Sequence, residues 1–95
     1  MDIKILKLVT GEEIIGEVVE KSQTGITLKN TLAIMVQPTR EGISYGFIPW
    51  GQLVVGDKNI AHEYVVFSGE PTEEIHANYA EQFGSIVVSS KQLIT

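Results

Sequence analysis

The sequence has no cysteine among its 95 residues, which excludes a disulfide-stapled scaffold, a zinc ribbon and a thiol nucleophile. Charged residues are also scarce, at 20 % of the chain, so a monomer would have a sparsely charged surface and we expect a partner subunit to cover part of it. Seven basic residues against twelve acidic ones give a net charge of −5. This excess of acidic residues disfavours tight, sequence-independent binding of nucleic acid, because such binding depends on basic patches.

Long hydrophobic runs are absent as well. The longest uninterrupted apolar run is 32–36, far below the roughly 18 residues that a membrane helix needs. The N-terminus lacks the basic stretch and apolar core of a signal peptide. An apolar content of 43 % nevertheless excludes a disordered chain. We therefore expect one small, soluble, cytoplasmic domain that makes no membrane contact.

Alternating apolar residues predict five strands in meander order, which is typical of a small, strongly bent barrel. The predicted strands are 3–9, 13–21, 26–37, 43–49 and 60–67. Gly16 inside the second strand indicates a sharp bend or a close backbone approach. Asn30 is the one polar residue in the inward-facing set of the third strand. A two-sheet sandwich is the alternative fold.

The pattern changes after residue 70, where a helix is predicted. Thr72 is a good N-cap, and Ile75, Tyr79 and Phe83 recur every four residues before Gly84, a natural helix stop. We expect this three-turn stripe to pack on the chain's own barrel or on a neighbour, with docking of another protein as the alternative. Residues 85–95 fit either a strand or a helix continuation. The predicted organisation is a barrel over 1–70, with a helix and tail over 71–95 on the same single domain.

Two stretches carry a family resemblance. Residues 8–18 resemble the first Sm motif, with a strand, a turn glycine, two apolar residues and a glycine inside the next strand, and 25–30 resemble the end of that motif. The chain as a whole is similar to small Sm-like (LSm-type) proteins of tailed phages of marine cyanobacteria, whose place of action is the host cytoplasm. The features shared with them include 10–13, 28–30, 47–50 and 70–71.

The resemblance implies an all-β, five-stranded, strongly bent Sm-like (SH3-type) barrel with a C-terminal amphipathic helix. It also implies a closed homo-oligomeric ring of about five to seven subunits and binding of single-stranded RNA. Departures from the family pattern concern the RNA site. The loop 22–25 contains neither the Asp nor the Asn of the family, and Trp50-Gly51, or in another register Phe67-Ser68-Gly69, stands where the family has Arg-Gly.

No arrangement of residues predicts catalysis, a metal or a cofactor. His62 and His76 are the only histidines, and neither has a second ligand at a metal-binding spacing. The acidic pairs 12–13 and 73–74 lie at a turn and at a helix start, where solvation and capping explain them. The serines form no nucleophile elbow, and no glycine-rich phosphate loop occurs. We therefore expect a protein that is not an enzyme.

Two functions remain open. The first is a ring that binds single-stranded RNA or DNA weakly through repeated sites, with phosphate contacts, base-edge contacts and stacking supplied by Lys21, Lys29, Gln23, Asn30 and Trp50. The second is a structural or adaptor protein that recruits a protein partner, for which the polar residues are a solvated hairpin end. In that case Trp50 belongs to a subunit interface. The interface candidates are Phe47, Trp50, Tyr64 and Val66.

Overall fold

The computed structural model describes residues 2–85, which form an antiparallel sheet and a short helix. The strands are β1 (Ile3–Leu8), β2 (Glu13–Lys21), β3 (Gly25–Thr39), β4 (Gly42–Pro49), β5 (Lys58–Ala61) and β6 (Val65–Gly69). A 3₁₀ turn, His62–Tyr64, separates β5 from β6. The helix α1 (Glu73–Ala80) continues into a π-helical turn, Glu81–Ser85. The expectation of a mostly β protein is confirmed.

The six strands belong to one sheet in the order β4-β3-β2-β1-β6, and β5 pairs with the N-terminal part of β3. One sheet excludes the sandwich alternative. The predicted fifth strand, 60–67, is wrong as a single strand. Its first part pairs with β3 and its second part with β1, and a straight strand cannot reach both. No ladder in the described part of the chain joins β5 to β6, so the sheet is open and the expected closed five-stranded barrel is not observed.

β3 changes the face it buries at Asn30, which has a left-handed backbone with φ of 55°. Glu17 pairs with Lys29, but Ile15 pairs with Leu32, so β3 contains one residue more than β2 across this step. The inward orientation expected for Asn30 is therefore wrong, because the bulge residue is exposed. The close approach expected at Gly16 is confirmed. A Cβ there would lie 3.1 Å from Cγ2 of Thr31, which is tighter than an ordinary contact.

Alternate residues of β1 and β2 contribute to two apolar clusters on opposite faces of the sheet, and the bulge moves the even-numbered apolar residues of β3 from the first cluster to the second. The inner cluster contains Leu6, Leu8, Ile14, Ile26, Leu28, Ala33 and Ile60. The helix cluster contains Ile3, Ile15, Leu32, Ile34 and Tyr79, with Ile75 and Phe83 packed against it. The apolar stripe of the helix thus packs on the chain's own sheet, as one of the sequence alternatives predicted.

Helix α1 begins as the sequence predicts and ends differently. The side chain of Thr72 accepts a hydrogen bond from the backbone N–H of Ile75 at 3.3 Å, which is a standard N-cap. The α-helical geometry ends at Ala80, and Gly84 lies inside the π-helical turn instead of stopping the helix. The open question about the tail largely concerns residues 86–95, which lie outside the described residues.

Candidate functional site

Trp50 lies directly after β4 and is fixed by Thr31 of the bulge region. The Trp50 N–H donates to the Thr31 carbonyl oxygen at 3.4 Å, and the Thr31 hydroxyl donates to the Trp50 carbonyl oxygen at 2.9 Å. The indole packs against the inner cluster and is half-buried. Its Nε1–H donates to Oε2 of Glu12 at 3.3 Å. Trp50 is therefore a positioned side chain and not a freely exposed stacking platform.

A groove of about 770 Å³ runs beside Trp50, and we call it the Trp50 groove. Its apolar wall includes Ala33, Met35, Ile48 and Pro49. Its rim is polar and includes Lys7, Thr10, Glu12 and Glu13. The Thr10 hydroxyl donates to Oε1 of Glu12 at 3.0 Å, so both carboxylate oxygens of Glu12 have partners. The groove combines an apolar surface with a fixed negative charge.

The second group of candidate residues, Lys29 and Asn30, lies in the middle of β3 beside the helix. The ammonium of Lys29 lies 3.9 Å from the carboxylate of Glu17. The Asn30 carbonyl oxygen accepts a hydrogen bond from the Tyr79 hydroxyl at 2.6 Å. Burial raises the pKa of Tyr79 above its ordinary value, and the negative charge of Glu17 adds to this shift. These contacts hold the helix on the sheet and partly neutralise Lys29.

Lys21 and Gln23 form the third group, at the turn between β2 and β3, where both are exposed. β2 has nine residues, so about 30 Å of strand separates its Lys21 end from the end near Glu12 and Trp50. Lys21 and Gln23 therefore lie at the far β2–β3 turn. Lys29 and Asn30 lie at the bulge, where the Trp50 backbone bonds to the adjacent Thr31 while the indole packs on the inner cluster. The structure does not bring the five nucleic-acid candidates into a single site.

The four interface candidates also divide. Phe47 packs against the helix cluster, with its ring edge-on to Tyr79 at a centroid distance of 6.5 Å. Trp50 packs on the inner cluster. Tyr64 and Val66 are both more than half exposed, on the 3₁₀ turn and on β6. Only these last two present most of their surface to solvent.

Sequence reasoning missed several exposed apolar side chains and one carboxylate. The apolar residues are Ile43, Ile48, Leu53, Val54, Val55 and Phe67. A signal for most of them is present, because 42–56 contains no charged residue at all. Glu12 has no such signal: its role depends on Trp50, which is 38 positions away in the sequence.

The histidines have structural surroundings. Nε2 of His62 lies 2.7 Å from the carbonyl oxygen of Ser22, so this ring connects the 3₁₀ turn to the β2–β3 turn. Within residues 2–85, no group of three or more acidic or histidine side chains is arranged to hold a metal ion. No helix in the same part of the chain is long and apolar enough to cross a membrane.

No family model matches this chain, and no curated protein is significantly similar to it. The Sm-like resemblance therefore remains a prediction that depends on the sequence motifs.

Proposed function

We propose that this chain is a non-catalytic, Sm-like subunit that assembles head to tail into a closed homo-oligomeric ring. One observation supports this proposal above the others. β4 and β6 are the two terminal strands of the sheet, and neither contains a charged residue. Monomeric proteins protect exposed strand edges with charges, proline or very short strands. Of these devices, β4 has only the proline at its end, and it is eight residues long.

The side chains on these strands support the same proposal. Ile43 on β4 is 74 % exposed and Val66 on β6 is 60 % exposed, with Phe67 beside it. The two edges belong to different surfaces of the subunit, so pairing one with the other is heterologous and generates a ring when the rotation closes. Such pairing would satisfy the outer backbone groups of both strands and cover these apolar side chains.

Light scattering tests the assembly directly. The wild-type chain should have a mass several times 10.4 kDa at micromolar concentration. Ile43→Lys and Val66→Lys each place a charge on one edge, at a side chain that is already exposed, so the subunit should stay folded and the mass should fall. Gln23→Lys adds the same charge at an exposed turn that belongs to neither edge strand and should leave the mass unchanged. A wild-type monomer at that concentration would refute the ring.

A ring of this kind fits a structural or adaptor role. The apolar stripe of α1 packs on its own sheet, so recruitment of a partner through that stripe would require the helix to detach. Other surfaces, repeated around the ring, remain available to a protein partner, and repetition raises the overall affinity of weak contacts.

Weak binding of single-stranded RNA or DNA is the second candidate function. The observation in its favour is that Lys21 and Gln23 are exposed at one turn, and no carboxylate in residues 2–85 pairs with Lys21. The acidic partners of Lys29 and Trp50 count against it. With −5 per subunit, binding should be local and strongly salt-dependent.

Titration with short single-stranded oligonucleotides at low salt separates the two functions. If nucleic acid binds, Lys21→Ala and Lys29→Ala should each weaken binding of all oligonucleotide sequences by a similar factor. They should also make the affinity less dependent on salt concentration. Trp50→Ala should reduce the binding free energy by about 1–3 kcal/mol for each base that stacks on the indole. If Trp50→Ala instead loses the oligomer and keeps its affinity for oligonucleotides, Trp50 is an interface residue. Absence of binding at low salt would leave only the adaptor function.

A further inference from the structure

Glu12 is an oriented carboxylate whose charge is not balanced nearby. Its two oxygens accept hydrogen bonds from the Thr10 hydroxyl and the Trp50 indole N–H, and both of these donors are neutral. The next residue, Glu13, differs, because its carboxylate lies 3.5 Å from the ammonium of Lys7. Across residues 2–85, no lysine, arginine or histidine lies within ion-pair distance of Glu12. With Lys7 paired to Glu13, the rim of the Trp50 groove therefore has a net negative charge that is centred on Glu12.

The rest of the groove suits the stem of a long side chain. Met35 and Ile48 line it and are each about half exposed, so apolar surface remains uncovered next to the carboxylate. Trp50 lines the same groove. A phosphate or carboxylate ligand would be repelled by Glu12, and an uncharged apolar ligand would leave that charge without a counter-ion. The complementary group is a cation on an apolar stem.

We propose that the Trp50 groove binds an arginine side chain presented by an apolar segment of a partner protein. A guanidinium is planar, is weakly hydrated, donates to both oxygens of a carboxylate and stacks well on aromatic rings. Its three methylene groups can cover the apolar wall formed by Met35 and Ile48. The proposal does not depend on the ring, since its groups all belong to one subunit.

The fluorescence of Trp50 gives a direct measurement, because this is the only tryptophan of the chain. The probe is the peptide acetyl-Leu-Arg-Leu-amide, titrated at low salt up to about 10 mM, since a contact of this size is expected to bind in the millimolar range. We expect a saturable change in emission. The analogue with citrulline in place of arginine has the same shape without the charge, and it should bind at least about ten-fold more weakly.

A pair of matched variants tests the role of the carboxylate. Glu12→Gln keeps the size of the side chain and one acceptor oxygen but removes the charge, and we expect it to weaken binding of the arginine peptide by about ten-fold or more. Glu41→Gln removes the same charge from the exposed turn between β3 and β4, and its affinity should stay within about two-fold of wild type. Thermal melts of both variants establish that each is folded.

Three outcomes would overturn the proposal. One is equal binding of the arginine and citrulline peptides, and another is unchanged affinity in Glu12→Gln. The third concerns Arg40, the only arginine of this chain, which lies exposed in the turn between β3 and β4. Light scattering compares the assembly of each variant with that of the wild type. If Arg40→Gln and Glu12→Gln form smaller assemblies than the wild type, and to the same extent, the occupant of the groove is a second copy of this chain.

Discussion

The two ends of β3 have opposite surroundings although they belong to one strand. From Gly25 to Ile34 most side chains are buried, on one face or the other. From Met35 to Thr39 every residue is exposed, although this end contains Met35 and Val36 as well as Pro38. The first part has β2 on one side and β5 or β4 on the other, while the end pairs with β4 alone.

This difference shows that burial here depends on the third strand and the helix, and not on side-chain polarity. The ladder between β2 and β3 ends at Ile14 and Ala33, and beyond that point β3 and β4 continue as a two-stranded ribbon. A two-stranded ribbon is only marginally stable in water by itself. Its exposed apolar side chains are therefore where we expect contacts with other molecules, and the body of β3 is where we expect stability to reside.

The largest contrast should come from truncating one apolar residue in each region of β3. Leu28 is 0 % exposed in the inner cluster and Met35 is 50 % exposed on the ribbon. Leu28→Ala should lower the free energy of unfolding by about 2–5 kcal/mol, because it leaves a cavity. Met35→Ala should change it by less than about 0.5 kcal/mol in the monomer. Urea unfolding of both variants measures the difference, and equal losses would contradict the comparison.

Adding a methyl group at a glycine gives the second contrast. At Gly16 a Cβ would meet Cγ2 of Thr31 at 3.1 Å and Cβ of Leu28 at 3.2 Å, whereas at Gly46, on the ribbon, it would meet nothing within 4 Å. We expect Gly16→Ala to cost about 1–3 kcal/mol in the free energy of unfolding. Gly46→Ala should be neutral or slightly stabilising, because it reduces the entropy of the unfolded chain. A well-tolerated Gly16→Ala would mean that the bulge can shift without cost.

Tyr79 connects the helix to the bulge and gives a pH-dependent prediction. Tyr79→Phe removes the hydrogen bond to the Asn30 carbonyl and should cost about 1 kcal/mol near neutral pH. Because burial raises the pKa of Tyr79 in the folded state above the ordinary value of 10.0, the unfolded chain ionises first. This contribution is intact below about pH 10 and is lost as the pH rises further.

Thermal or urea unfolding from pH 7 to pH 11 measures this effect. Other alkaline titrations are common to both proteins, so the stability difference between wild type and Tyr79→Phe should shrink above about pH 10. A constant difference over the whole range would show that the phenol is not buried in the folded protein.

An effect no larger than that of Tyr79→Phe is expected at Asn30, whose φ of 55° places it in the left-handed region. Asn30→Ala should lower the free energy of unfolding by about 1 kcal/mol, because alanine adopts the left-handed conformation less readily than asparagine does. Asn30→Gly should be close to neutral, since glycine adopts this conformation without a steric penalty. Unfolding of the two variants under identical conditions tests the bulge without disturbing either cluster. A loss in Asn30→Gly as large as in Asn30→Ala would assign the effect to side-chain contacts.

Local patterns identified much of the fold. Alternation predicted β1 to β4 close to their observed bounds, Gly16 indicated the close approach, and Thr72 indicated the helix start. Alternation and capping succeed because they depend on neighbouring residues, and a glycine inside a strand is a local signal even though its contact lies on another strand. The break at His62–Tyr64 was missed, because it arises from a change of pairing partner between β3 and β1, which no local pattern contains.

The candidate site was less accessible to sequence reasoning. Trp50 was recognised as a residue with two interpretations, but its contact with Glu12 was not, since the two residues meet only after β4 has paired with β3. The same holds for Lys29 and Glu17, which become neighbours through the register of β2 and β3. Charge counts predicted an acidic protein, but they could not show which acidic residue would contact a lysine and which would contact an aromatic ring.

By itself the sequence determined the class of the protein: mostly β, acidic, without cysteine, with uncharged apolar segments at 42–56 and 64–69 and a capped helix near the C-terminus. Only the tertiary structure decided that Asn30 reverses the face of β3, that the sheet stays open, and that Glu12 meets Trp50. The physical reason is the range of the interactions. Strand periodicity and capping act between residues close in the sequence, whereas bulges, edges and grooves depend on which distant strands pair and in which register.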